Sequence, residues 1–300
     1  MKVIECKGLT KAYGSLKAVN DLSFSIEHNK ITGLIGRNGA GKTTFLKLLA
    51  GCLQKTSGEI KVFSEDPFNN LKVASNMIFI DDNMTFPPSL YLEDILESAS
   101  RFYKNWDMRL AKGLFDYFSL DPKQAHNRLS KGMKSTFNMI IGISARCPLT
   151  IMDEPTTGMD AAVRKDFYRA LLKDYIQNPR TIILSSHLLN EIEDILETVL
   201  LINEGERRLH MPVEDLRMFA VGLRGQEDIV NELTNEKQIY HKESLGKDNS
   251  YVVVNNDFTE STIQKAKLAG IEISPVSTND ICVYLTAKNR GGIDDVFNRG

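Results

Sequence analysis

The sequence predicts an α/β fold in which a sheet of short strands is interrupted by a helical insertion and followed by a small C-terminal α+β domain. Three observations predict it. The apolar run Ile31-Thr32-Gly33-Leu34-Ile35 passes through a glycine-rich loop into the helix-like Phe45-Leu46-Lys47-Leu48-Leu49-Ala50. Between residues 82 and 145 the strand patterns stop, and apolar residues recur at helical spacing. Strand-like runs then return at 149–152, 181–184 and 199–203, with a helical stretch at 162–176, as βαβ winding requires.

Strands are expected first at 2–6, 22–26, 31–35, 60–63 and 77–80, around the glycine-rich loop. The insertion reads as three helices, 92–103, 107–118 and 134–145. Beyond about Asp215, strand patterns at 219–223, 239–241, 251–254 and 271–275 alternate with helical ones at 227–233, 260–269 and 280–285. The organisation expected is therefore a large domain over 1–214, with its helical subdomain at about 82–145, and a small accessory domain over 215–300. No internal repeat or low-complexity linker interrupts it.

The 300 residues are 42% hydrophobic and 25% charged, the composition of a globular chain with room for one large and one small domain. The net charge of −2 gives no reason to expect a nucleic-acid partner. Cys6, Cys52, Cys147 and Cys282 are scattered without metal-ligand spacing or a disulfide framework, which fits reduced thiols in a cytoplasmic protein. No stretch approaches the roughly 20 apolar residues that cross a bilayer, and the amino terminus lacks a signal pattern. Any role at a membrane is expected to come through a partner.

Residues 36–44, Gly-Arg-Asn-Gly-Ala-Gly-Lys-Thr-Thr, fit G-x-x-x-x-G-K-[ST] between a strand and a helix, the setting of a phosphate-binding P-loop. Gly36, Arg37, Asn38, Gly39, Ala40 and Gly41 would curl backbone N–H groups around the phosphates of ATP. The helix that follows adds unpaired N–H groups and the positive end of its dipole. Lys42 is expected to reach the β and γ phosphates, and the Thr43 hydroxyl to ligate Mg²⁺ beside Thr44. The strand Leu149-Thr150-Ile151-Met152 ends in Asp153-Glu154, two acids at the carboxyl end of a strand. Asp153 is expected to hold Mg²⁺ through its water shell, and Glu154 to polarise the attacking water.

Leu129-Ser130-Lys131-Gly132-Met133 resembles the signature sequence of ABC-type ATPases, and Ser130 stands 23 residues before Asp153. Other residues match that family in order: Tyr13 the aromatic residue that stacks on adenine, Gly158-Met159-Asp160 the D-loop, and His187 in Ser185-Ser186-His187 the switch histidine. The resemblance covers residues 1 to about 210. It implies a P-loop core of the ABC ATPase type with an antiparallel β subdomain and a helical insertion. It also implies ATP hydrolysis with Lys42, Glu154 and His187 as catalytic residues, His187 meeting the γ phosphate. Ser130 and Gly132, before a helix, would offer a hydroxyl, N–H groups and a helix dipole to a second anion. In the family that second clamp, with the D-loop residue Asp160 beside it, closes on ATP bound to the opposite protomer. The resemblance thus implies a second ATPase subunit, identical or different, and a transmembrane permease that would hold the chain on the inner face of the membrane.

Two departures stand out. Lys131 and Met133 replace residues of the common Leu-Ser-Gly-Gly-Gln, as in exporter-like bacterial branches. The strand at 77–80 runs into Asp81-Asp82-Asn83 where relatives place a glutamine or glutamate. Asp82 aligns there, either as a third metal-site residue or as a solvated turn acid. Phe86-Pro87-Pro88-Ser89-Leu90-Tyr91 is either a permease contact or part of the subdomain core. Phe102-Tyr103-Lys104-Asn105-Trp106-Asp107 resembles a stretch of the GntR-regulated, YtrB-like exporter ATPases. The function expected is the ATP-hydrolysing subunit of a bacterial ABC transporter, of exporter type. The alternative is an ABC-type ATPase that acts as a nucleotide-dependent regulator.

Overall fold

The computed structural model describes residues 2–287 and divides the chain into two compact units, 1–210 and 211–300. The first unit holds two sheets. In the smaller, β1 (Lys2–Tyr13) lies between β2 (Leu16–Glu27) and β4 (Ser57–Val62), antiparallel to both. The larger has the order β5 (Met77–Ile80), β6 (Leu149–Met152), β7 (Thr181–Ser186), β3 (Ile31–Ile35), β8 (Thr198–Asn203), β9 (Glu206–Pro212). From β5 to β8 every pairing is parallel. All residues of β3, β6 and β7 are buried, which explains why these strands are continuous apolar runs without alternation.

Helix α1 (Lys42–Leu49) follows β3 and buries Phe45, Leu46, Leu48 and Leu49 in a core shared by both sheets, with Ile4, Leu22, Ile60 and Ile151. A short α2 (Leu71–Ala74) leads to β5. The insertion comprises α3 (Leu92–Phe102), α4 (Met108–Tyr117) and α5 (Lys131–Ser144). Phe86 packs inside it, half-buried, with ring centroids 5.0 Å from His126 and 6.1 Å from Phe137. Of the two readings of that segment, the structure gives Phe86 to the subdomain core. Helix α6 (Ala161–Gln177) then leads to β7.

A charged knot ties the insertion to the sheet. Asp107, the N-cap of α4, meets Arg146 at 2.9 Å, and Arg146 meets Asp174 of α6 at 2.6 Å. Arg180, ahead of β7, meets the other oxygen of Asp174 at 2.8 Å, both side chains being at least 96% buried. Two guanidinium groups therefore share one buried carboxylate.

The second unit is built from β10 (Ala220–Gln226), α8 (Glu227–Thr234), β11 (Ile239–Ser244), β12 (Asn249–Asn255), α9 (Glu260–Leu268) and β13 (Glu272–Pro275). A short α7 (Val213–Arg217) precedes them and α10 (Thr278–Leu285) follows. The sheet order β11-β12-β10-β13 is antiparallel throughout, the split βαβ arrangement. Val221, Leu223, Val252 and Val254 face Val230 of α8 and Ala266 of α9 in a core of their own. Val252 and Val254 of the Tyr251-Val252-Val253-Val254 stretch are thus buried in this unit's own core, and Tyr251 is half-buried.

The α/β core, helical insertion and α+β appendage expected from sequence are all present. Some bounds differ. β1 and β2 run twelve residues each, because Gly14 at φ +61° lets the chain turn back at once and extends the pairing to Tyr13 and Leu16. α5 starts at Lys131 rather than 134, since Ser130 supplies the N-cap. β9 escaped the sequence pattern because only Leu209 of the strand is buried, and the division between units falls inside it. Removing the shared carboxylate leaves Arg180 buried without a counter-charge, so Asp174→Ala is expected to cost about 3–5 kcal/mol in urea unfolding.

Candidate functional site

The site lies at the carboxyl ends of β3, β6 and β7. The P-loop leaves β3 at Gly36, where a Cβ would stand 2.5 Å from the Ile202 carbonyl oxygen. At Gly41, φ +101°, a Cβ would stand 2.1 Å from the Ala18 carbonyl oxygen. Both glycines are thus fixed by close backbone approach, and the second presses the loop onto the β1–β2 hairpin. Ala40 is buried, while Arg37, Asn38 and Gly39 are exposed. The start of α1 has no side-chain cap and no acid in its first turn, so its N–H groups face outward for an anion.

Lys42 is only 6% exposed. Its Nζ donates to the Gly36 carbonyl at 2.6 Å and stands 3.2 Å from Glu154 Oε1. Glu154 Oε1 accepts no well-angled hydrogen bond, so Lys42 meets it as an ion pair rather than a directed bond. The other oxygen, Oε2, lies 2.9 Å from Nδ1 of His187, which is 47% exposed. The sequence-expected Lys42, Glu154 and His187 are therefore brought together.

Glu154 adopts φ +46°, a left-handed backbone that a non-glycine residue holds only when its surroundings impose it. The imposing contacts are visible. Its N–H donates to Ser185 Oγ at 2.8 Å, and its carbonyl accepts from Thr157 Oγ1 at 2.8 Å. Ser185 Oγ donates in turn to Asp153 Oδ1 at 2.5 Å. Sequence reading assigned His187 and passed over Ser185. The available signal was a hydroxyl ending the buried apolar strand Thr181-Ile182-Ile183-Leu184.

Ser130, Gly132 and Asp160 form a second cluster. No hydrogen bond or ion pair among the described residues joins them to residues 36–44 of the same chain. Ser130 Oγ accepts from Met133 N at 3.3 Å and caps α5, whose first turn carries Lys131 and Lys134 and no acid. A Cβ on Gly132 would stand 2.4 Å from the Gly158 carbonyl oxygen, so α5 and the D-loop meet backbone to backbone. Ser135 Oγ donates to the Thr157 carbonyl at 2.8 Å across the same seam. The Asp160 carboxylate accepts from Ala162 N and Val163 N and serves as the N-cap of α6. Below the D-loop, Tyr168, its phenol pushed up to about 12 by burial, lies 3.2 Å from Thr156 Oγ1.

Tyr13 ends β1, half-exposed, with Lys11 Nζ 5.1 Å from its ring centre. Asp82 is not drawn into the site: its Oδ1 accepts from the Asn83 side chain at 2.9 Å within an exposed turn. Its strand does reach the site, since Asp153 N donates to the Ile80 carbonyl at 2.8 Å. For a divalent ion, Thr43 and Asp153 offer hard oxygens, Asp153 being buried with one donor on its carboxylate among the described residues. Among the described residues no three His, Cys, Asp or Glu side chains cluster as a metal cage. That donor set fits Mg²⁺ bound together with substrate phosphates and water.

Bacitracin transport ATP-binding protein BcrA of Bacillus licheniformis is 31% identical over 218 residues, 72% of this chain and 71% of that protein. The chain belongs to the family of ABC transporter ATP-binding proteins. The ABC transporter family model matches residues 19–157. ABC transporter ATP-binding protein YtrB of Bacillus subtilis is 27% identical over 72% of this chain and 74% of its own length. Among solved structures, an ATP binding subunit of an ABC transporter superposes with a TM-score of 0.65 at 24% identity, over 72% of this chain and 92% of that one. The ATP-binding cassette MJ0796 in a dimeric post-hydrolysis state, bound to ADP and Pi, gives 0.62 at 18% identity over 70% of this chain and 98% of that one. These likenesses bear on the fold, which is that of ABC ATPase cassettes. As a member of the family the chain is an ATP-binding, ATP-hydrolysing subunit of a transporter, and such subunits dimerise and work with transmembrane components. No helix among the described residues is long and apolar enough to cross a membrane.

In this family member the α5–D-loop seam has no room for a side chain at Gly132. Gly132→Ala is expected to destabilise the chain by about 1–3 kcal/mol in urea, with faster amide exchange concentrated at residues 157–160.

Proposed function

We propose that ATP bound on residues 36–44 is hydrolysed at Glu154, and that the resulting cycle of pairing and separation drives an exporter-type permease. The observation that carries this reading is the convergence of Lys42 and His187 on the two oxygens of Glu154, at 3.2 and 2.9 Å. The loop lysine is held by the carbonyls of Gly36 and Arg37 and by Glu154. Phosphates entering the loop offer Lys42 stronger partners, and its transfer to them releases a Glu154 oxygen to accept a proton from water. That water attacks the γ phosphorus in line, and ADP leaves with the bond electrons. His187, beside the same carboxylate, would contact the γ phosphate, and Tyr13 would stack on the base from the hairpin edge.

Thr43 and Asp153 would hold Mg²⁺, which supplies charge neutralisation at the phosphates when bound. Asp82 stands apart from this set by virtue of its own turn. Ser130, Gly132 and the acid-free first turn of α5, which Ser130 caps, make no hydrogen bond or ion pair with residues 36–44 among the described residues, which supports reading them as half of a composite site completed by a second ATPase subunit. Asp160, occupied as the cap of α6, would hold that face in shape. Loss of the bridging phosphate removes the contacts that favour the closed pair, so hydrolysis biases it toward opening.

The kinship with a bacitracin transport ATP-binding protein supports the transport reading, which would place the chain at the cytoplasmic face of the membrane. For the permease contact, a groove of about 400 Å³ runs between α3 and α4. Leu96, Met108 and Phe115 give it an apolar floor, and Glu93, Asp116 and Lys112 stand on its rim. Glu93 and Asp116 enter no ion pair among the described residues, a pattern suited to a basic amphipathic segment of the permease.

Two outcomes test this reading. Glu154→Gln in the complex with the permease is expected to lower Mg²⁺-dependent ATP turnover at least 100-fold, while light scattering shows an ATP-stabilised dimer; unchanged turnover overturns the assignment. Reversing both rim charges, Glu93→Lys with Asp116→Lys, is expected to reduce co-purification with the permease and to leave ATP affinity unchanged. Full retention of the complex argues against the groove.

A further inference from the structure

Resting on the hydrolytic reading of Asp153 and Glu154, we infer that Ser185 is a positioning residue that sets both carboxylates as one unit. Its side chain is buried, at 1% exposure, on β7, one residue beyond the last β6–β7 pair, Met152 and Leu184. The single hydroxyl proton goes to Asp153 Oδ1 at 2.5 Å, and a lone pair takes the Glu154 N–H at 2.8 Å. Both capacities of the hydroxyl are used on consecutive residues of the neighbouring strand end. Ser185 touches no reacting atom itself.

The consequence for Asp153 is orientation. A buried carboxylate held by one charge-assisted donor keeps a fixed orientation, which leaves its remaining lone pairs for the ion that Thr43 and Asp153 would share. The consequence for Glu154 is backbone strain held in place. Its φ of +46° would relax if the amide lost its partner, and the carboxylate between Lys42 and His187 would swing with it. The Thr157 bond to the Glu154 carbonyl fixes only the other side of the residue. His187 follows directly after strand β7, two residues beyond Ser185, so the same strand end leads to all three groups.

The test compares Ser185→Val with Ser185→Thr, which have nearly the same shape and differ in the hydroxyl. Turnover is measured in the complex with the permease. Nucleotide binding is measured on the full chain with a fluorescent ATP analogue in EDTA, and ion binding with Mn²⁺ by electron paramagnetic resonance. Loss of an outer-shell partner of this kind changes metal affinity or activity about 10- to 100-fold. The expected result for Ser185→Val is a tenfold or greater rise in the Mg²⁺ needed for half-maximal turnover and a matching loss of nucleotide-dependent Mn²⁺ binding. EDTA affinity stays within about twofold, and Ser185→Thr restores the wild-type ion dependence. Equal behaviour of Val and Thr, or an equal loss of EDTA affinity and ion binding, overturns the inference. Should the Val chain fail to fold by circular dichroism, Ser185→Ala takes its place with the same two outcomes. A wild-type complex with no Mg²⁺-dependent turnover overturns the hydrolytic reading itself, whereas active wild type with Val equal to Thr overturns only the role of Ser185.

Discussion

Lys42 is a cation with almost no access to water, and a buried ammonium must always be matched by oxygens. The match is two carbonyls of its own loop, those of Gly36 and Arg37, and one carboxylate oxygen from the end of another strand. The rest of the large unit arranges what those oxygens are. Strand order sets β6, β7 and β3 side by side, so the acid ending β6 and the histidine after β7 arrive beside the loop that leaves β3. Parallel pairing puts all three carboxyl ends on the same edge, where α1 contributes its positive pole. A site of this kind cannot be assembled from an antiparallel sheet with the same side chains, because neighbouring strand ends would point to opposite edges.

The core and the first half of the site were legible in sequence for reasons that are local. Residues 31–44 carry strand, turn and helix signals in one continuous stretch, and buried parallel strands announce themselves as unbroken apolar runs. What sequence withheld depends on distance. Ser185 gains its meaning only from residues 31 and 32 positions away, which no periodicity reports. Asp82 shows the converse: it follows the strand that pairs with β6, two residues past the last pair Ile80 and Met152, yet one of its oxygens accepts from the next side chain, Asn83, in an exposed turn. Edge strand β9 shows a third limit, since a strand half open to solvent buries too little to leave an apolar pattern.

Glycines divide the work differently from the charged residues. Gly36 and Gly41 bring foreign backbone to the P-loop, and Gly132 does so for the signature. The second unit uses Gly222 in yet another way, leaving room for the Tyr251 ring across the sheet, 2.5 Å from where a Cβ would stand. In each case the absent side chain defines where another group lies. The substitutions that test such positions probe spacing rather than chemistry.

The seam between α5 and the D-loop has a further consequence. Glu154 is tied through Thr157 to Ser135, one turn into the helix that Ser130 caps, so the strained backbone at 154 and the start of α5 share a short path. A backbone shift at Glu154 would therefore reach the N-terminal part of α5 over two hydrogen bonds. The seam thus gives the chain a stiff lever between a strained loop and a helix end, with two hydroxyl groups as its joints.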